Sequence, residues 1–218
     1  MIKSRLGTDF DAVVHRLLPF LVRLRVTPDT LTLLGVAFSA VAGLLFASGA
    51  PFAAAWPLGL AGAFDLVDGV VARAQGTSSR AGAFLDSAMD RVSDVVVLGG
   101  IAYGMAISGD RLSLAVAIWA LGASVLTSYT RARAEQHLTD FRAGWMERGE
   151  RLIVLILGAL SGWLAAALWI VAIGATLTSL QRIRLARRRL AELDRRTADP
   201  GSRPPTRAPA GEAEGSEA

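Results

Sequence analysis

The sequence predicts an all-α polytopic membrane protein: six transmembrane helices preceded by an N-terminal amphipathic surface helix. Three observations predict it. Hydrophobic residues make up 52% of the 218 residues, with a mean hydropathy of +0.43, more apolar than a soluble domain of this size needs. These residues fall into six stretches, near 30–48, 52–72, 83–107, 112–132, 149–161 and 164–183. Basic residues gather at the ends of the stretches rather than inside them, as in membrane helices.

Taken in order, residues 1–26 form an N-terminal segment. Over 9–25, Phe10, Val13, Val14, Leu17, Leu18, Leu21 and Leu24 recur on one side, while Asp11, Arg16, Arg23 and Arg25 lie largely elsewhere. That spacing predicts an amphipathic helix lying on the membrane surface, and it fits equally a helix packed on protein. Charges and His15 interrupt the start, so it does not read as a signal peptide.

Thr27-Pro28-Asp29-Thr30-Leu31-Thr32 opens the first span. Pro28 suits a first helical turn, and Asp29, Thr30 and Thr32 can cap free N–H groups or help present them to a phosphate. The six spans occupy a transmembrane domain over 27–190, in which 149–161 is the weakest segment. Residues 191–218 are rich in Pro, Gly, Ala and charge and read as a disordered tail.

Orientation follows from the basic residues. Lys3, Arg5, Arg16, Arg23 and Arg25 precede span one; Arg73 and Arg80 join spans two and three; Arg131, Arg133, Arg142, Arg148 and Arg151 join four and five; five arginines between 182 and 189 follow six. The opposite turns carry only Asp110 and Arg111. Both termini are therefore expected in the cytoplasm, with the chain in the inner (plasma) membrane. A net charge of +4 suits anionic headgroups and phosphorylated substrates, and the apolar content leaves no soluble face for nucleic acid. With no cysteine there is no disulfide or thiolate metal site.

The chemistry concentrates between Asp65 and Asp90, in DLVDGVVARAQGTSSRAGAFLDSAMD. On helices, Asp65 and Asp68 share one face, as do Gly82, Asp86 and Asp90. Four converging carboxylates cannot all stay ionised without cations, and an all-oxygen ligand set favours a hard divalent ion over zinc. Gly69 and Gly82 permit close approach of a ligand or helix, and Arg73 can reach a phosphate oxygen. A structural ion-pair cluster among Asp86, Asp90, Arg73 and Arg91 is the bland alternative. Asp94, one turn past Asp90, reads better as a packing or hydrogen-bonding residue.

The spacing D-x2-D-G-x2-A-R-x8-G-x3-D-x3-D resembles the signature of the CDP-alcohol phosphotransferases, with every position filled. The resemblance implies integral membrane enzymes in which an alcohol displaces CMP from a CDP-linked donor. It implies that Asp65, Asp68 and Asp86 hold two Mg²⁺ ions, with Mn²⁺ an alternative, and that Asp90 meets the second metal and is the catalytic base. It also implies that Asp29, Thr30, Leu31, Thr32, Gly69, Arg73 and Ser79 contact the donor, and that the enzyme is a homodimer.

Arg131, Arg151 and Arg182 stand at the ends of three different spans and together could grip the phosphate of an acceptor, although each alone also fits the positive-inside rule. SYTRARAE, ERGERL and QR resemble a subgroup of the family, the actinobacterial phosphatidylinositol phosphate synthases, with Arg131 where lysine is expected and Gly149 where proline is expected. That resemblance implies phospholipid biosynthesis: CDP-diacylglycerol as donor, 1D-myo-inositol 3-phosphate as acceptor, phosphatidylinositol phosphate and CMP as products. A glycerol 3-phosphate acceptor fits the same arginines, and a divalent-cation transporter is the rival from another class.

Overall fold

The computed structural model describes residues 27–76, 79–139, 141 and 143–198. The expected surface helix over 9–25 lies outside the described residues. Six helices follow: α1 Pro28–Ala47, α2 Pro51–Ala74, α3 Arg80–Ser108, α4 Arg111–Glu135, α5 Arg148–Ser161 and α6 Leu164–Ala198. The fold is all-α, as expected.

Local chemistry sets the helix ends. Thr27 caps α1 by accepting the Thr30 N–H through its side chain, with Pro28 in the first turn. Ser79 caps α3 in the same way through the Gly82 N–H. At the far end of α3, Gly109 takes the left-handed conformation (φ 78°) that closes a helix at low steric cost. Asp110 then caps α4, and its hydrogen bonds from Ser113 hold its carboxyl below the usual carboxylate range.

The helices pack around a closed ring in the order α2, α1, α3, α4, α6, α5 and back to α2. Its interior is built from small and medium side chains, among them Ala42, Ala55, Leu58, Val97, Ala117, Ala120, Leu168 and Val171. Backbones come closest between α1 and α3: a Cβ built on Gly100 would collide with the Gly43 carbonyl oxygen, and one on Gly104 with that of Phe46. The outward surface is apolar in turn, with Leu44, Phe52, Trp56, Tyr103 and Trp163 exposed. A protein with apolar side chains both inside and outside is suited to lipid.

Five of the six expected segments, α1, α2, α3, α4 and α6, are long and apolar enough to cross a membrane. The remaining one, α5, has 14 residues and rises about 21 Å, short of the ~30 Å hydrocarbon core. The tail boundary also needs correction, because α6 runs on to Ala198 instead of giving way to disorder at 191. Ala, Arg, Leu and Glu dominate that extension and favour helix. Just before it, Leu185, Ala186 and Leu190 pack against Ala134, Leu138 and Phe141, with the Arg189 guanidinium 5.9 Å from the Phe141 ring centre.

The α1–α3 contact yields a prediction. Gly100→Ala should lower stability by about 1–3 kcal/mol through overpacking, read as a fall in the thermal midpoint of the detergent-solubilised protein, while Gly122→Ala, at a position with open space around it, should change it little.

Candidate metal and phosphate site

The site lies where the C-terminal half of α2 faces the N-terminal half of α3. Helical spacing puts Asp65 and Asp68 on one face of α2, and Asp86, Asp90 and Asp94 on one face of α3. One oxygen from each of Asp65, Asp68 and Asp86 falls within 4.8 Å of the others. At that separation each like-charged pair repels by at least about 3 kcal/mol at an effective dielectric constant near 20.

Two features show what this cluster can accept. Asp68 is buried and receives a hydrogen bond from Thr32 Oγ1 of α1 at 2.9 Å, which fixes its orientation. Asp86 Oδ1 is buried with no hydrogen-bond partner, an expensive condition for a carboxylate oxygen. An oxygen-only donor set with an orphaned acceptor fits a hard divalent cation.

Asp90 stands apart from the triad. It meets Asp65 across the guanidinium of Arg148, whose Nη1 contacts Asp65 Oδ1 and lies 2.7 Å from Asp90 Oδ1. Arg148 Nε is 3.9 Å from Asp94 Oδ1, and Arg151 Nη2 lies 2.7 Å from Asp94 Oδ2. Asp94 thus serves as a buried hydrogen-bonding residue, as its position past the motif suggested.

A cleft of about 400 Å³ opens beside the triad. Its wall includes Thr27, Asp29 and Thr32 of the α1 start, Asp68, Gly69 and Arg73 of α2, and Ser79, Gly82 and Asp86 of the α3 start. Two helix N-termini therefore border it, and such ends favour anions. Gly82 leaves room for the cap, since a Cβ there would come within 3.2 Å of Ser79 Oγ. Of the expected donor contacts, Asp29, Thr32, Gly69, Arg73 and Ser79 line this cleft. Thr30 instead turns its hydroxyl to Thr27 Oγ1 at 2.8 Å, and Leu31 is buried outside the cleft wall.

The arginines divide. Arg182 is buried and donates to the carbonyls of Ala143 and Thr127, each at 2.7 Å. Its Nη2 is 3.7 Å from Glu147, which Arg131 approaches at 4.0 Å while bonding Glu135 at 2.8 Å. Arg151 turns toward Asp94 instead. Arg148 is the functional candidate that sequence reasoning missed: its position at a span end gave it the bland reading of a positive-inside charge, and only the tertiary approach of α5 to α2 reveals its partners.

The profile of the CDP-alcohol phosphatidyltransferase family matches residues 25–181. The chain belongs to this family. Among its relatives, the phosphatidylinositol phosphate synthase of Streptomyces avermitilis is 40% identical over 205 residues, covering 87% of this chain and 84% of that protein. The synthase of the same name from Mycobacteroides abscessus is 38% identical, covering 85% and 88%. Mycobacterium tuberculosis phosphatidylinositol phosphate synthase with CDP-DAG bound superposes with a TM-score of 0.73 at 32% identity, over 80% of this chain and 94% of that one. The same enzyme has been solved with manganese and citrate, again with a TM-score of 0.73. The resemblance seen in the motif is thus borne out, and this CDP-alcohol phosphatidyltransferase is a multi-pass membrane transferase with a carboxylate triad that could hold a metal ion.

The crowding of the triad predicts its response to cations. Mn²⁺ at a hundredfold excess over its Kd should stabilise the fold by about 2.7 kcal/mol, raising the thermal midpoint. Asp68→Asn should remove most of that rise.

Proposed function

We propose that the chain transfers the phosphatidyl group of CDP-diacylglycerol to 1D-myo-inositol 3-phosphate, giving phosphatidylinositol phosphate and CMP. The observation that carries this reading is the cleft: one wall is two edges of the carboxylate triad, Asp68 and Asp86, and the other brings Arg73 and two helix N-termini to the same space. That is a place for a pyrophosphate linking a nucleotide to a lipid. The names of the relatives, synthases of this product from several actinobacteria, support the inositol phosphate acceptor.

In this reading Asp65, Asp68 and Asp86 would hold two Mg²⁺ ions, or Mn²⁺, with Asp90 at the second. When bound, the ions neutralise the pyrophosphate, polarise its phosphorus and stabilise the departing phosphate. Arg73 and the α1 and α3 N-termini hold the donor phosphates, and Thr32 keeps Asp68 turned to them. Asp90 takes the proton from the inositol hydroxyl. The freed oxygen forms a bond to the lipid-side phosphorus, and the bond from that phosphorus to CMP breaks.

The acceptor phosphate is assigned to Arg131, Arg151 and Arg182, of which Arg131 and Arg182 already converge on Glu147. The enzyme works in the plasma membrane as a homodimer, with this face and both termini in the cytoplasm; the arginines at the ends of α2, α4 and α6 support that orientation.

Two measurements test the reading. Supplied with CDP-diacylglycerol and Mg²⁺, the purified protein should form lipid product with inositol phosphate and little with glycerol 3-phosphate, free inositol or serine; preference for glycerol 3-phosphate would correct the acceptor. Asp90→Asn should lower turnover by at least about a hundredfold while CDP-diacylglycerol still binds, and full activity in that variant would remove Asp90 from its role.

A further inference from the structure

Arg148, Arg151 and Arg182 all bring guanidinium groups into the interior, but they are held differently. Arg182 donates to two carbonyls, and Arg151 makes an aligned hydrogen bond to Asp94. Arg148 instead faces three carboxylates, those of Asp65, Asp90 and Asp94. Its Nε and Nη1 are nonetheless buried without an aligned hydrogen-bond partner. Two of its three nitrogens thus lack the directed bonds that are the rule for buried donors, and charge carries most of the contact.

We propose that Arg148 is the resident counter-cation of the carboxylate cluster: it holds Asp90 beside Asp65 until a divalent cation takes over that charge, and so sets the cation affinity of the site and positions the base. This role rests on the cluster being the cation site. Of the carboxylates Asp65, Asp68, Asp86 and Asp90, Asp65 and Asp90 share the Arg148 guanidinium, whereas Asp94 also has Arg151. Arrival of a doubly charged ion at Asp65 weakens the attraction that keeps Arg148 there and adds repulsion. Misaligned contacts are cheaper to give up than directed hydrogen bonds. Asp94 Oδ1, 3.9 Å from Arg148 Nε, offers a second carboxylate partner on α3, so the guanidinium keeps a paired charge as it leaves Asp65. Asp94 therefore acts through Arg148, and both are positioning residues.

The exchange makes opposite predictions for two variants, read by Mn²⁺ titration of the full-length protein without substrate. Arg148→Gln removes the competitor and should tighten Mn²⁺ binding roughly ten- to a hundredfold. Asp94→Asn removes the receiving partner and should weaken it roughly tenfold. Arg148→Lys, which keeps the charge, should bind Mn²⁺ within a few fold of the wild type. In turnover, Arg148→Gln should lower kcat with little change in KM for CDP-diacylglycerol, and the lysine variant should recover part of the loss. Unchanged or weaker Mn²⁺ binding in Arg148→Gln overturns the proposal. Should that variant not fold, unchanged or tighter binding in Asp94→Asn does the same. Absence of Mn²⁺ binding by the wild type would overturn the cation site and this role with it, whereas normal wild-type binding abolished by Asp68→Asn keeps the site secure while Arg148 is judged.

Discussion

The mutual repulsion of Asp65, Asp68 and Asp86 is the constraint on which the rest of the structure depends. Three carboxylates within a few ångströms of one another, one of them with an unsatisfied buried oxygen, oppose the approach of the α2 end to the α3 start unless positive charge joins them. The remaining architecture supplies the means to hold that arrangement. Tight glycine contacts fasten α1 to α3, and Thr32 on α1 fixes Asp68. The short α5, packed on α2, delivers Arg148 to the same cluster.

Function follows from putting this polar site at one end of an apolar ring. Ala, Val and Leu fill most of the ring interior, with buried Thr127 and Ser179 hydrogen-bonding α4 to α6. Both α1 and α3 begin at the cleft, so the helix ends with unpaired N–H groups meet the place where phosphates are expected. The α4–α5 connector, gripped by Arg182 through the Ala143 carbonyl and by Thr178 through the Met146 N–H, carries Glu147 toward the arginines and Arg148 toward the aspartates. Two adjacent residues thereby link the two charged regions.

Much of this was legible in the sequence, and the unread parts have a common cause. Aspartates spaced three and four apart on helices must share a face, so the pairs Asp65–Asp68 and Asp86–Asp90 could be read without coordinates, whereas the expected convergence of all four resolves into a triad with Asp90 beside Arg148. The caps at Thr27 and Ser79 follow from local chemistry as well. What could not be read is tertiary. Arg148 looks like any membrane-flanking arginine until α5 is seen against α2, and the pairing of Arg151 with Asp94 is likewise invisible before the helices are assembled. The extension of α6 to Ala198 was hidden by its polarity, which reads as tail although it continues a helix anchored just before it by Leu185, Ala186 and Leu190. Among the expected donor contacts, Leu31 is buried away from the cleft lining for a similar reason: a contiguous run of motif residues does not all face one way on a helix.

The most direct test of the cation account is anomalous diffraction from crystals of the protein soaked in Mn²⁺. Peaks bounded by Asp65, Asp68 and Asp86, with Arg148 displaced from Asp65, are the predicted result. A cluster that stays free of anomalous density while Arg148 remains bridged between Asp65 and Asp90 would contradict it.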